Sequence, residues 1–134
     1  MPRETITLEE ILESPPRDFK PVAYYDKHMD CIRVELRDCS VTEVRLDKTL
    51  TLLRDNDPSE SQSPLAGFMI KGVKMLFKEW GFPLAGVLLV TTLIDRMLKE
   101  LPIDPENVRG IKRINTVAAD IELSVNFSEL AMAA

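Results

Sequence analysis

The chain has 134 residues and a mass of 15.2 kDa, enough for one domain with a sizeable core. Its 45% hydrophobic and 29% charged content excludes wholesale disorder. A formal charge of −5 and a pI of 4.9 argue against an electrostatic nucleic-acid binder, so no nucleic-acid partner is expected.

The first residues, Met1-Pro2-Arg3-Glu4-Thr5, carry an early acid and no apolar segment after basic residues, so no secretory signal is expected. Thr7 and Glu10 have capping-box spacing, and Leu8, Ile11 and Leu12 make one apolar face, which predicts a short N-terminal helix. Ser14-Pro15-Pro16 ends it, and an extended lead-in continues to Pro21.

Val22 to Tyr25 reads as a strand and Asp26-Lys27-His28-Met29-Asp30 as a polar hairpin turn. Beyond it Ile32, Val34 and Leu36 share one face, with Arg33, Glu35 and Arg37 on the other. Asp38-Cys39-Ser40 turns the chain into a third strand, with Val44 and Leu46 inward and Glu43 and Arg45 outward. After a tight turn at Asp47-Lys48, Leu50 and Leu52 alternate with Thr49 and Thr51. The pattern predicts an antiparallel β-meander with one face toward helices and one polar face toward solvent.

Asp55 to Pro64 is a polar loop between strands. Its Asp55-Asn56-Asp57 lacks the glycine and terminal glutamate of a calcium loop. Leu65 to Ile70 returns as a strand. Gly72 opens a helix with Val73, Leu76, Phe77 and Trp80 on one face and Lys71, Lys74 and Lys78 on another. Gly81 is its C-terminal cap.

Pro83 is read as the first residue of a second helix that runs to about Leu101 before Pro102, with a buried strand over Gly86 to Thr92 as the competing reading. The apolar stretch from Leu84 to Ile94, broken by Thr91-Thr92, is shorter than the roughly 20 residues of a membrane helix, so no membrane partner is expected. In the tail, Val117, Ala119, Ile121, Leu123, Val125 and Phe127 alternate with Ala118, Asp120, Glu122, Ser124 and Asn126. This predicts a long half-buried strand at a sheet edge, its own or a neighbouring subunit's.

Residues 22–70 resemble the small DUF2283 family of bacterial proteins. The resemblance is carried by Tyr25-Asp26, Asp30, Ile32-Arg33-Val34, Thr42-Glu43-Val44, Leu50 to Leu53 and Leu65-Ala66-Gly67-Phe68-Met69-Ile70. Met69 stands where that family has an acidic residue, and the Asp55 to Pro64 loop is longer. The resemblance implies an α+β fold and no established activity.

Chemical candidates are few. His28 between Asp26 and Asp30 offers a base held by a carboxylate, or a metal ligand; the ordinary alternative is an exposed turn whose aspartates bond their own backbone. With Tyr24 these residues make one candidate ligand site: Tyr24, Asp26, His28 and Asp30. His28, Cys31 and Cys39 offer three zinc ligands without a Cys-x-x-Cys pair, so no metal, cofactor or catalytic residue is assigned. The two cysteines read as reduced cytosolic thiols. Lys71, Lys74 and Lys78, with Arg109, Lys112 and Arg113, are the basic groupings; solvated helix faces explain them. Trp80, Phe82, Val117, Ile121, Leu123, Val125 and Phe127 are candidate interface residues.

The expectation is a single α+β domain over residues 1–134: an antiparallel meander, helices on one face, and a C-terminal strand at a sheet edge. Its function is read as a non-catalytic interaction or regulatory module of the cytoplasm, forming a homo-oligomer or meeting a protein partner. The alternative is a small-molecule-binding protein or minor enzyme with its pocket near Tyr24, Asp26, His28 and Asp30.

Overall fold

The computed structural model describes residues 20–127. The helix expected around Thr7 to Leu12 lies outside the described residues. Within them the fold is α+β.

Five strands alternate as the sequence pattern requires: β1 (Val22–Asp26), β2 (Cys31–Glu35), β3 (Val41–Arg45), β4 (Leu50–Asp55) and β5 (Leu65–Lys71). All pairings are antiparallel, in the order β1-β2-β5-β4-β3. The order departs from a plain meander, because β5 inserts between β2 and β4. The β2–β3 connection therefore crosses the ends of two strands. Arg37 ties it down, donating to the Ser63 carbonyl at 2.6 Å and pairing with the buried Asp55 carboxylate at 3.3 Å.

Turn chemistry is local. The Asp47 carboxylate accepts from the amides of Thr49 and Leu50, both at 2.8 Å, closing the β3–β4 turn. Gly67 of β5 is where backbones come closest: a Cβ there would stand 1.9 Å from the Val34 carbonyl oxygen.

Three helices cover one face. In α1 (Val73–Trp80), Val73 and Phe77 are buried, and Gly81 closes the helix at φ 79° by donating to the Phe77 carbonyl. α2 (Val90–Glu100) buries Val90, Leu93, Ile94 and Met97. α3 (Pro105–Asp120) starts at Asp104, whose carboxylate caps Asn107, with proline at the first helical position, and buries Ile111, Ile114 and Ala118. These residues join Ile32, Val34, Leu50, Leu52, Phe68 and Ile70 in one core.

Two expectations are corrected. The second helix begins at Val90 rather than Pro83, and Val87–Leu89 form a short strand, β6. The apolar run is thus strand and then helix, because its first part pairs with a neighbour that no local pattern reveals. The long strand over Val117 to Phe127 is mostly helix: α3 continues to Asp120, a turn with Glu122 at φ 52° follows, and only Ser124–Asn126 form a strand, β7. The 3.6-residue spacing of Ile111, Ile114 and Ala118 wins because it seats α3 on the core.

β7 pairs antiparallel with β6 in a separate two-stranded sheet. Leu123, Val125 and Phe127 are buried within this chain, with the Phe127 ring 5.4 Å from Tyr25 and 5.9 Å from Phe77 between centroids. The outer face of the main sheet is also less open than a polar strand face predicts. Thr51, Leu53 and Met69 point away from the helices and are buried nonetheless. Phe127→Ala is expected to cost about 3–5 kcal/mol, a cavity in a packed aromatic cluster, whereas Val117→Ala stays within about 0.5 kcal/mol. Urea unfolding of both variants measures the difference.

Candidate functional site

The strand pairing spreads the residues of the expected ligand site over two faces. In the β1–β2 turn, one Asp26 oxygen accepts from the backbone amides of His28 at 2.9 Å and Met29 at 3.2 Å. Asp26 thus bonds its own turn, and His28 stands exposed in it. The imidazole does not border the cavity that Tyr24 and Asp26 share on the sheet.

Asp30 turns toward the helices. At φ 52° it accepts the Tyr25 hydroxyl proton at 2.6 Å, and both carboxylate oxygens receive the Lys74 amide, at 3.1 and 3.3 Å. Its carbonyl accepts from Val73 at 3.2 Å. The N-cap of α1 is Gly72, which has no side chain, so Asp30 supplies the capping carboxylate from another element. This aspartate is a structural tie rather than part of an open pocket.

Tyr24 and Asp26 face the outer side of the sheet. There they border a cavity of about 280 Å³ with Met29, Cys31, Arg33, Glu43, Met69 and Lys71. The register explains the gathering: Tyr24 opposes Arg33, Arg33 opposes Met69, and Asp26, Cys31 and Lys71 form the next rung. Arg33 pairs with Glu35, points a guanidinium nitrogen at the Met69 sulfur at 3.2 Å, and approaches Glu43 of β3 at 3.7 Å. It reaches across β5 and β4 like a strap. A smaller cavity of about 70 Å³ lies against its other side, bordered by Glu35, Arg37, Cys39, Leu53 and Ala66 among others.

Electrostatics follow from burial. Burial pushes the Cys31 thiol up, helped by the Asp26 charge, and the same holds for Cys39 with Asp55 beside it. Both cysteines are free; Cys31 opens β2 and Cys39 lies in the β2–β3 connection. Burial also raises the Tyr24 phenol, with Glu35 adding to it. The Tyr25 phenol is raised furthest, by burial first and then by its hydrogen bond to Asp30.

Among the described residues no group of three or more His, Cys, Asp and Glu side chains is placed to hold a metal ion. The basic residues do not converge: Lys74 and Lys78 are exposed on α1, and Arg109, Lys112 and Arg113 on α3.

The expected interface residues also divide. Trp80 and Phe82 pack edge to face at 6.0 Å, with the Arg96 guanidinium 5.0 Å from the Phe82 ring and donating to the Trp80 carbonyl at 2.9 Å. They close the end of the core. Leu123, Val125 and Phe127 belong to the core itself, which leaves Val117 and Ile121 on the surface.

Sequence reasoning passed over Arg33, Glu43 and Met69 as site residues. Alternation placed Arg33 and Glu43 on an outer face, but only the register of β2 and β4 with β5 brings them together. No family model matches the chain, and neither does any curated protein or solved structure.

The Tyr25–Asp30 bond makes a testable contribution. The fold holds the Tyr25 proton more tightly than the unfolded chain does, so this stabilisation is complete below about pH 10 and is lost as pH rises above it. Tyr25→Phe is expected to lower stability at pH 7 by about 1–3 kcal/mol and to flatten the loss of stability above about pH 10. His28→Ala is expected to change it by no more than about 0.5 kcal/mol. Denaturant titrations at neutral and alkaline pH read both effects.

Proposed function

We propose that the chain is a non-catalytic interaction module that associates with a second copy of itself through β6, β7 and the end of α3. The observation that carries this reading is the apolar outer side of β6: Val87 is 62% exposed and Leu89 47%. Their cross-strand partners are Asn126 and Ser124, and among the described residues β6 pairs with β7 alone. An uncharged apolar edge strand is a ready template for a further strand.

The surface continues beyond β6. Ser124 lines a groove of about 500 Å³ with Ile121 and Val22, both of them exposed apolar residues. The groove carries one cation and one anion, Lys20 and Glu122. Copies related by a two-fold axis contribute the same patch twice, so each presents both signs to the other. A chain of net charge −5 otherwise repels its copy, which favours contact through this charge-poor region.

The relation of residues 22–70 to DUF2283 proteins belongs to the same proposal. It is supported by the order of β1, the Asp30 turn, β2 and the Gly67-containing β5, and it brings no activity with it. A cytoplasmic setting is proposed from the two free cysteines. Among the described residues, no helix is long and apolar enough to cross a membrane.

Light scattering coupled to size-exclusion chromatography tests the association. The expected result is a species of twice the chain mass at high concentration. Val87→Glu/Leu89→Glu is expected to weaken dimerisation about tenfold or more while circular dichroism stays unchanged. A wild-type chain that remains monomeric up to about 1 mM sinks the proposal.

A further inference from the structure

We infer that the cavity on the outer face of the sheet, between Tyr24 and Lys71, binds a small organic anion with an aromatic body. The inference rests on which polar groups there are already engaged. Arg33 is paired with Glu35 and approached by Glu43, and one Asp26 oxygen holds two backbone amides of its own turn. Of the four charged groups that border the cavity, Lys71 is the one with no side-chain hydrogen bond or ion pair among the described residues. Its ammonium is a point charge on a flexible stem, suited to a carboxylate or similar anion at the cavity end.

The remaining lining sets the shape of the ligand body. Tyr24 is 45% exposed as a residue, and Met29, Met69 and Cys31 supply polarizable, apolar lining. Thioethers against an aromatic ring, with a tyrosine face to stack on, favour a flat group over an aliphatic chain. About 280 Å³ is at the lower end for ligand cavities and suits a single ring with a short arm. The Arg33 strap closes the far side, beyond which the space falls to about 70 Å³. Lys71 and Cys31 are directly opposed in the register, so the charge sits one rung from the Tyr24–Arg33 pair. That places the anionic end and the ring within one small molecule's length.

The test titrates 3-phenylpropanoate and its neutral amide, 3-phenylpropanamide, into the ¹⁵N-labelled chain. Saturable shifts are expected at the amides of Tyr24, Cys31, Met69 and Lys71, with the carboxylate bound about tenfold more tightly than the amide. Lys71→Gln should abolish that preference, Tyr24→Ala should weaken both ligands, and Lys78→Gln should change neither. Circular dichroism and unperturbed shifts in the helices confirm that each variant is folded. The proposal is overturned by the absence of saturable shifts up to about 10 mM, by shifts centred on Val22 and Ile121 instead, or by a charge preference that survives Lys71→Gln.

Discussion

A strand in the middle of a sheet must be covered on both faces, and β5 imposes that constraint on the rest of this protein. Phe68 and Ile70 point to one side and Met69 to the other, and all three are buried. Helices cover the first side, starting with α1 directly after β5. The second side has no described helix over it. On that side Arg33 stretches toward Glu43 over Met69, and Thr51 and Leu53 are buried as well. A guanidinium on a long apolar stem can do this, because the stem shields carbon while the charge stays with its carboxylates.

Asp30 is the second fixed point. One carboxylate takes the Tyr25 hydroxyl and the first turn of α1, so it ties β1 and its turn to the helix. The two aspartates of the turn divide their work. Asp26 orders the turn, Asp30 anchors the helix, and the space left on the other face is bordered by groups from β1, β2, β3 and β5.

Much of the fold was legible in the residues. Period-two alternation located the strands from β2 to β4, and the apolar segments Val22 to Tyr25 and Leu65 to Ile70 located β1 and β5 to within a residue. Gly81 and Pro102 bracketed the helices, and Val73, Leu76, Phe77 and Trp80 marked the inner side of α1. The misreading of the tail has a physical origin. Val117, Ala118, Ala119 and Ile121 are apolar in near succession and satisfy both a two-residue and a 3.6-residue period. The deciding signal was further upstream, in Asp104-Pro105-Glu106 and the Ile111–Ile114–Ala118 spacing, which announce and seat α3. At the outer cavity, sequence indicated that Tyr24 and Asp26 lie near each other, but the other lining residues extend to Lys71, 47 positions from Tyr24.

By itself the sequence determined the strands of the main sheet and α1, and which side of each one is apolar, because those properties depend on side chains a few residues apart. Tertiary structure decided the neighbours: that β5 inserts between β2 and β4, that the apolar run after Gly86 splits into strand and helix, and that β7 finds its partner in β6. Such choices rest on pairings between distant segments, whose hydrogen bonds and buried area exist only once the chain has closed on itself. The charged strap of Arg33 and the exposed apolar side of β6 are consequences of those pairings.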